Sequence, residues 1–161
     1  YALGGLSVGE ARPLTYELVA AAEQALPPER PRYVMGVGLP EELPQYVALG
    51  VDMMDCVLPT RNGRNGLLFT SQGRLHIRQK RFAGDPLPPD PECSCMVCRR
   101  YSRAYLRHLF VSDEMLGKTL NSIHNLFFYL DTMRRIRETI AAGAFDRFLS
   151  DFTRRVQGEV P

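Results

Sequence analysis

Residues 33–57 read YVMGVGLPEELPQYVALGVDMMDCV, in which two β-like runs flank a short helical one. The first run, Tyr33 to Met35, stops at a pair of nearby glycines. A helical segment is predicted from about Glu41 to Leu49, where Gly50 takes the C′ position that glycine favours. The second β-like run, Val51 to Val57, is mostly apolar, as in a buried strand. Because parallel strands need a crossover that is usually helical, this order predicts parallel neighbours.

The same alternation extends towards the N-terminus. Residues 1–3 are β-like and stop at Gly4-Gly5, and a helical segment after Pro13 continues through Leu26 until two prolines end it. The order strand, helix, strand, helix, strand predicts an α/β fold whose parallel sheet is covered by helices.

The pattern changes after residue 59. Residues 60–66 have the composition of a loop, and the β-like runs 67–70 and 74–77 are predicted to pair as a hairpin. Four prolines between Asp85 and Pro91 indicate an extended connector.

Helices are predicted for most of the remaining chain. One is expected from Arg99 to Phe110 and a long one from Asp113 to Ala142, with Ser112 as its N-cap. We expect the long helix to bury one apolar face, formed by Leu116, Leu120, Ile123, Phe127 and Leu130. A last amphipathic helix follows Gly143. We therefore divide the chain into three parts, residues 1–66, 67–112 and 113–161.

Composition narrows the class of protein. The chain has 161 residues, 45% of them hydrophobic, which suits one ordinary globular core. Twenty basic and 18 acidic residues give a net charge of +2, too small to attract nucleic acid by bulk charge. No apolar run approaches the ~20 residues needed to cross a bilayer, and the first residues lack a signal peptide's features. We expect a soluble, cytoplasmic protein without membrane contact.

Three of the four cysteines lie close together. Cys93, Cys95 and Cys98 fall within six residues, a spacing that favours a metal over disulfides in a chain with no secretory signal. A closed zinc site needs a fourth ligand, and the residues alone leave the choice open. The candidates are His76, His108, His124 and Cys56. Three thiolates and one imidazole leave no position for water, so we predict one structural Zn²⁺.

Two acids interrupt the apolar run 51–57. Burying a carboxylate costs several kcal/mol unless it finds donors or performs chemistry. Asp55 lies nearer the carboxyl end of the predicted strand, the end at which parallel α/β folds place active sites. We expect Asp52 to point away and to bind backbone or arginine. The residues alone leave Asp55 open as a nucleophile, a base or a structural acceptor.

Several segments together resemble the tRNA-guanine transglycosylases, also called queuine tRNA-ribosyltransferases. They are ALGGLSVGE (2–10), RYVMGVG (32–38), GVDMMDCVLPTRNGRNG (50–66) and ECSCMVC (92–98), with His124-Asn125. The resemblance implies a (β/α)8 TIM barrel with an inserted zinc-binding subdomain, of which this chain supplies roughly the C-terminal half.

The resemblance also implies roles for individual residues. Asp55 matches the nucleophile that attacks the ribose of the wobble guanosine, and Cys93, Cys95, Cys98 and His124 match the zinc ligands. The positions matching the base-binding residues are Gly4, Gly5, Leu6, Val8 and Met35. The positions matching the RNA-contacting residues are Gly36, Val37, Gly38, Leu39, Pro40, Glu41, Glu42, Thr60, Arg61, Asn62, Gly63 and Arg64.

One position bears on the incoming base. Val8 stands where eukaryotic members carry glycine, so the resemblance favours the bacterial type, which inserts 7-aminomethyl-7-deazaguanine during queuosine biosynthesis. It further implies a homodimer and a tRNA with guanine at the wobble position. The acid/base aspartate of the family lies upstream of Tyr1, so we expect this chain alone to be inactive. The alternative is a non-catalytic, zinc-dependent tRNA-binding accessory subunit.

Overall fold

The computed structural model describes residues 1–6 and 8–158. The chain forms two compact units, Tyr1–Val57 and Leu58–Pro161. Both the predicted segments 67–112 and 113–161 belong to the second unit. Within the described residues, none of the helices combines the length and apolar composition that crossing a bilayer requires.

The first unit alternates strands and helices as predicted. Its elements are β1 (Ala2–Leu3), α1 (Arg12–Ala25), β2 (Tyr33–Val34), a 3-10 turn (Pro40–Glu42), α2 (Leu43–Ala48) and β3 (Met53–Met54). The three strands are parallel in the order β1-β2-β3, which confirms the predicted sheet. Gly50 follows α2 with a φ of 97°, a conformation that favours glycine at this helix end. The core consists of Val19, Val34, Val37, Tyr46 and Val51.

Over residues 58–158, the second unit joins a hairpin to five helices. Its elements are α3 (Leu58–Arg64), β4 (Leu67–Thr70), β5 (Gly73–His76), a 3-10 turn (Lys80–Phe82), α4 (Met96–Arg100), α5 (Arg103–Val111), α6 (Met115–Ala141) and α7 (Phe145–Val156). Strands β4 and β5 are antiparallel, with Leu67 opposite His76 and Thr70 opposite Gly73. The hairpin prediction is confirmed. The core contains Leu68, Leu75, Ile77, Phe82, Val97, Leu106 and Leu120.

The prediction of a loop over residues 60–66 is wrong, because Leu58–Arg64 is a helix. Pro59 lies in its first turn, where proline is tolerated. Gly63 lets α3 approach α6 closely, since a Cβ at this position would lie 2.8 Å from the backbone nitrogen of Ser122. The side chain of Asn121 donates to the Gly63 carbonyl at 3.2 Å. Tertiary contacts therefore hold a helix where composition indicated a loop.

The predicted boundaries of two other helices are also wrong. Residues 99–110 are not one helix, because α4 ends at Arg100 and Ser102 caps α5 by accepting from the backbone nitrogen of Tyr105 at 3.2 Å. Ser112 caps the C-terminus of α5 and not the start of the long helix. Asp113 has a φ of 56°, and α6 begins only at Met115.

The buried face of α6 differs from the predicted one. Leu120 is buried and Ile123 and Phe127 are half-buried, but Leu116 is 46% exposed and Leu130 is 71% exposed. The buried face instead includes polar residues that bond backbone groups of other elements. Its members are Gly117, Leu120, Asn121, His124, Asn125, Phe128, Tyr129, Thr132 and Ile136. An apolar pattern cannot identify such a face, because its polar members are buried through hydrogen bonds to backbone carbonyls and nitrogens.

Candidate active site and candidate metal centre

The carboxylate of Asp55 lies just past β3 and is exposed. Its Oδ1 accepts two hydrogen bonds, one from the Tyr33 hydroxyl at 2.5 Å and one from the backbone nitrogen of Gly36 at 3.0 Å. Tyr33 pairs with Met53 across the parallel strands, and Asp55 is two residues beyond Met53, on the same side of the strand. The register of β2 and β3 therefore places the tyrosine beside the acid.

These bonds favour the ionised form of Asp55. The hydrogen bond from Tyr33 is the main cause that lowers the pKa of Asp55, and the bond from Gly36 adds to it. The same contact raises the pKa of Tyr33, because the neutral hydroxyl is the donor. At neutral pH, Asp55 is an oriented carboxylate that can act as a nucleophile or accept a hydrogen bond.

The prediction of a buried strand over residues 51–57 is wrong, because Asp52 and Asp55 are exposed. Strand β3 covers only Met53–Met54, so the acids lie outside its two residues. Asp52 Oδ2 accepts from the backbone nitrogen of Arg32 at 2.9 Å, which confirms the backbone partner predicted for it.

The residues matched to base binding gather largely at the ends of neighbouring strands. Gly4 and Gly5 follow β1, and Met35 follows β2 and is 45% exposed. A Cβ on Gly4 would lie 3.3 Å from the sulfur of Met35, so these two positions are in contact. Leu6 is half-buried. Val8 is 80% exposed, and its backbone nitrogen donates to Glu10 Oε2 at 2.9 Å.

The stretch Gly36 to Glu42 is only partly accessible. Gly36 is exposed and Leu39 and Glu41 are half-buried, whereas the other four residues, Val37, Gly38, Pro40 and Glu42, are buried. The Glu42 carboxylate binds within the unit, because Oε1 pairs with Arg12 at 2.7 Å and Oε2 accepts from the Leu39 nitrogen at 3.1 Å. A Cβ on Gly38 would come within 2.9 Å of the Cys56 sulfur.

Helix α3 carries the second group of residues matched to RNA contact. Arg61 and Arg64 are exposed, Thr60 and Asn62 are half-buried, and Gly63 is buried against α6. Two guanidinium groups on one short helix can bind phosphate oxygens or stack on bases.

The metal-ligating residues come together in the second unit. The sulfurs of Cys93, Cys95 and Cys98 and a ring nitrogen of His124 all lie within 4.8 Å of one another. The sulfurs lie 4.0, 3.5 and 3.3 Å from His124 Nδ1, in the order Cys93, Cys95, Cys98. A tetrahedral zinc with Zn–S of about 2.3 Å and Zn–N of about 2.0–2.1 Å sets S and N ligands about 3.5 Å apart. The donor set and spacing therefore fit this ion.

A buried contact fixes the orientation of His124. The side chain has 0% exposure, and its Nε2 lies 2.8 Å from the carbonyl oxygen of Phe69. A carbonyl can only accept, so Nε2 carries a proton, and Nδ1 is the ring nitrogen that faces the three sulfurs. Such an outer partner is typical of metal-ligating histidine.

The electrostatics of the group also favour a cation. Hydrogen bonds from Cys93 and Cys98 lower the pKa of the Cys95 thiol, whereas hydrogen bonds with Cys93 and Cys95 raise the pKa of Cys98. Burial disfavours charge on His124, but the neighbouring thiols outweigh it and raise its pKa to about 9. Three thiolates cannot coexist here unless a positive ion offsets their mutual repulsion. The donors His76, His108 and Cys56 lie outside this group.

Two residues of these sites were not foreseen from the sequence. Tyr33 resembled an ordinary apolar strand residue, and only the strand register shows that it reaches Asp55. Asn125, which is fully buried, accepts from the Phe69 nitrogen at 3.0 Å and donates to the carbonyls of Pro59 and Leu67 at 3.0 and 2.9 Å. It thereby ties β4 and α3 to the helix that carries His124.

The chain is similar to known proteins over nearly its whole length. The family model described as queuine tRNA-ribosyltransferase matches residues 1–158. A queuine tRNA-ribosyltransferase of Koribacter versatilis is 64% identical over 143 residues, which cover 89% of this chain and 37% of that protein. The corresponding proteins of Solibacter usitatus and Acidithiobacillus ferrooxidans are 59% and 53% identical, over 92% and 96% of this chain.

The chain spans only part of these relatives, between 37% and 42% of their length. The match nevertheless covers nearly every residue of the chain and includes the segments that carry Asp55 and the Cys3His group. The chain therefore belongs to the queuine tRNA-ribosyltransferase family.

Proposed function

We propose that this chain is part of an enzyme that replaces guanine at the tRNA wobble position with 7-aminomethyl-7-deazaguanine. The observation that carries the proposal is Asp55, an exposed carboxylate at the end of a parallel strand, held by Tyr33 and Gly36 and kept ionised by them. Both hydrogen bonds engage Oδ1, so we assign Oδ2 as the attacking atom.

In the first displacement, Oδ2 attacks C1′ of the wobble ribose as the C1′–N9 bond breaks. The electron pair of that bond leaves with guanine, which takes a proton from an acid in the part of the protein outside this chain. The product is a covalent aspartyl-ribosyl intermediate, as in retaining glycosidases.

In the second displacement, the incoming base gives its N9 proton to the group outside this chain that protonated guanine, and N9 attacks C1′ from the face that guanine left. The new C1′–N9 bond forms as the C1′–Oδ2 bond breaks, which restores the carboxylate. Two displacements at one carbon give net retention. Every bond broken at C1′ is thereby replaced without an added oxidant or metal.

The base is proposed to bind beside the ends of β1 and β2. Gly4 and Gly5 have no side chains to obstruct the approach of a planar ring, and Leu6 and Met35 supply apolar contact. Gly5 has a φ of 76° and open space where a Cβ would be. Val8, larger than glycine, favours the small aminomethyl substituent over queuine's cyclopentene-diol.

The tRNA is proposed to bind through Thr60, Arg61, Asn62, Gly63 and Arg64 and through the accessible part of residues 36–42. Exposed Arg61 and Arg64 supply the phosphate contacts. Among residues 36–42, we assign direct contact to Gly36, Leu39 and Glu41, since the Glu42 carboxylate is bound internally.

We propose that Cys93, Cys95, Cys98 and His124 hold one structural Zn²⁺. Three thiolates and an imidazole leave no open coordination position, so the ion would stabilise the fold and take no part in the reaction. The proposal extends to the complete protein: a (β/α)8 barrel with a zinc subdomain, forming a cytoplasmic homodimer.

The decisive experiment is Asp55→Asn in the full-length protein. The amide keeps the size of the side chain but cannot form the ester, so the denaturant-resistant protein–tRNA adduct should disappear while tRNA affinity stays within about threefold. Asp52→Asn is the matched control, because Asp52 is also exposed and its carboxylate accepts from the Arg32 backbone in the contacts described above. An Asp55→Asn protein that still forms the adduct would exclude the nucleophile.

The alternative is a non-catalytic, zinc-dependent accessory subunit that binds tRNA. Such a protein needs neither an ionised Asp55 nor the Tyr33 contact. If wild-type full-length protein bound tRNA and zinc but gave no adduct and no guanine exchange, the accessory role would replace the enzymatic one.

A further inference from the structure

A cleft in the Leu58–Pro161 unit has no role in the proposed reaction. It measures about 290 Å³ and lies between the C-terminal part of α6 and helix α7. The side chains that determine its character are three arginines, one acid and two rings: Arg135, Arg147, Arg155, Asp151, Phe148 and Phe152.

Arg135 is the central group of this cleft. Its guanidinium lies 5.3 Å from the centre of the Phe148 ring, and the residue is half-buried. Among the residues that the structure describes, Arg135 makes no ion pair with a carboxylate. A half-buried guanidinium stacked on a ring keeps its donors available for an anion.

The other two arginines add positive charge that the neighbouring acids offset only in part. Arg147 Nε lies 3.7 Å from Asp151 Oδ2, and Asp151 also pairs with Arg154. Arg155 pairs with Glu92 at the surface, with both side chains about half exposed. Exposed pairs of this kind are weak and exchange readily with a better anion. The cleft lining carries three cations against one acid.

We propose that this cleft binds a phosphate group of the tRNA backbone, at a site separate from the Asp55 and α3 contacts; this rests on the proposed function. Planar guanidinium groups match the oxygens of a phosphate in bidentate geometry. The cleft is slightly smaller than the ~300–1,000 Å³ typical of small-molecule pockets, which favours a phosphate on a large ligand over a whole nucleotide.

The test is Arg135→Met in the full-length protein, with tRNA affinity measured from 50 to 200 mM salt. Methionine keeps an unbranched apolar stem beside Phe148 and removes the charge and the N–H donors of the guanidinium. We expect the Kd for tRNA to rise about tenfold and the salt slope of log K to fall by about 1. Arg147→Gln should act in the same direction, and as its side chain is 89% exposed it cannot disturb the core.

Arg137→Met is the matched control, because it removes the same charge from an exposed position of the same helix outside the cleft lining. The proposal is overturned if Arg135→Met and Arg147→Gln, both folded and with wild-type metal content, bind tRNA with the wild-type Kd and slope. It is equally overturned if Arg137→Met has the same effect as Arg135→Met.

Two further readouts separate the possible failures. At saturating tRNA, Arg135→Met should form the Asp55 adduct at the wild-type rate. Absence of any adduct in wild-type protein would contradict the proposed function, while the affinity and slope measurements would still decide the cleft. The second readout is the unfolding temperature with inorganic pyrophosphate. If pyrophosphate raised the unfolding temperature of the wild-type protein but not of Arg135→Met, and if both proteins bound tRNA equally well, the cleft would bind a free phosphate ligand and the tRNA proposal would be rejected.

Discussion

At the scale of single residues, the hydroxyl of Tyr33 controls the ionisation and direction of the Asp55 carboxylate. Replacing Tyr33 with Phe removes the largest of the hydrogen-bonding causes that lower the pKa of Asp55, so that pKa should rise. A nucleophile must be ionised, so the acid limb of the kcat/KM profile should move to higher pH. With Oδ1 less well held, adduct formation at neutral pH should slow by about tenfold.

The measurement is the pH profile of single-turnover adduct formation by the full-length protein. Tyr16→Phe serves as control, because Tyr16 packs edge-on against Tyr46 and makes no contact with Asp55. A Tyr33→Phe protein that was slow at all pH values, with an unmoved acid limb, would show that the hydroxyl only packs against the acid.

The sequence predicted the acid but not its partner. Two carboxylates in an apolar run are chemically unusual, so Asp55 could be singled out from its own neighbours. Tyr33 stands in a run of ordinary strand residues, and its contact depends on the pairing of Tyr33 with Met53 across β2 and β3. Pairing register is a tertiary property that one strand's sequence does not determine.

At the scale of elements, the Cys3His group holds α4, the hairpin and α6 together. Cys95 caps α4 and is 2% exposed, and His124 bonds the carbonyl of Phe69 in β4. Cys95→Ser should reduce bound zinc from one equivalent to well below half, because serine is a poor zinc ligand at neutral pH. Loss of a structural metal should also lower the unfolding temperature by more than 10 °C.

Metal analysis and calorimetry of the purified protein provide the two readouts. Cys56→Ser is the matched substitution, since Cys56 lies outside the ligand group. Full zinc content and unchanged unfolding of Cys95→Ser would contradict a structural zinc at this position. So would a wild-type protein that contains no zinc after purification without chelators.

Helix α3 depends on the absence of a side chain at Gly63. A Cβ there would lie 2.8 Å from the Ser122 nitrogen and 2.9 Å from its Cα, and backbone cannot move aside as a flexible side chain can. Alanine is the better helix former by about 1 kcal/mol, but overpacking commonly costs 1–3 kcal/mol or more. We expect Gly63→Ala to destabilise the protein by about 2 kcal/mol and to weaken tRNA binding.

Denaturant unfolding measures the first effect and tRNA titration the second. Gly84→Ala is the control, because a Cβ at Gly84 meets nothing within 4 Å. Wild-type stability in Gly63→Ala would mean that α3 does not lie as close to α6 as described.

The boundaries of helices show where local sequence is insufficient to predict secondary structure. The strands and helices of residues 1–57 follow local rules, and their order was predicted. Residues 60–66 contain two Asn-Gly pairs, which are typical of turns. The segment is nevertheless helical up to Arg64, because Asn121 and Asn125 of α6 donate to the carbonyls of Gly63 and Pro59. The buried face of α6 depends on tertiary contacts in the same way. Its apolar pattern predicts that Leu116 and Leu130 are buried, but both are exposed and polar residues such as Asn121 and His124 are buried instead.

At the scale of the whole molecule, the two units differ in the size of the core that stabilises each of them. In residues 1–6 and 8–57, the first contains three strands of two residues each and a core of five buried side chains. In the described residues, β1 and β3 each pair with one strand only, whereas two-residue parallel strands are stable mainly within a larger covered sheet. The second unit has a larger core and the Cys3His group.

We therefore expect the 161-residue chain, purified alone with zinc, to give no exchange of labelled guanine into tRNA. It carries the proposed nucleophile, but the proposed acid lies outside it, so guanine would have to leave unprotonated. Limited proteolysis should cut residues 1–57 first and leave a zinc-containing fragment that starts near Leu58. The full-length protein is the positive control for exchange and should resist cleavage in both regions.

The two measurements are informative together. Exchange by the isolated chain would mean that a group within residues 1–161 protonates the leaving guanine, and the division of catalytic groups proposed above would be wrong. Inactivity with residues 1–57 protected would identify the missing acid as the sole cause. Inactivity with residues 1–57 digested would mean that this unit is not stably folded in the isolated chain. The strand ends that orient Asp55 through Tyr33 and Gly36 would then need the rest of the sheet before the carboxylate can attack a ribose.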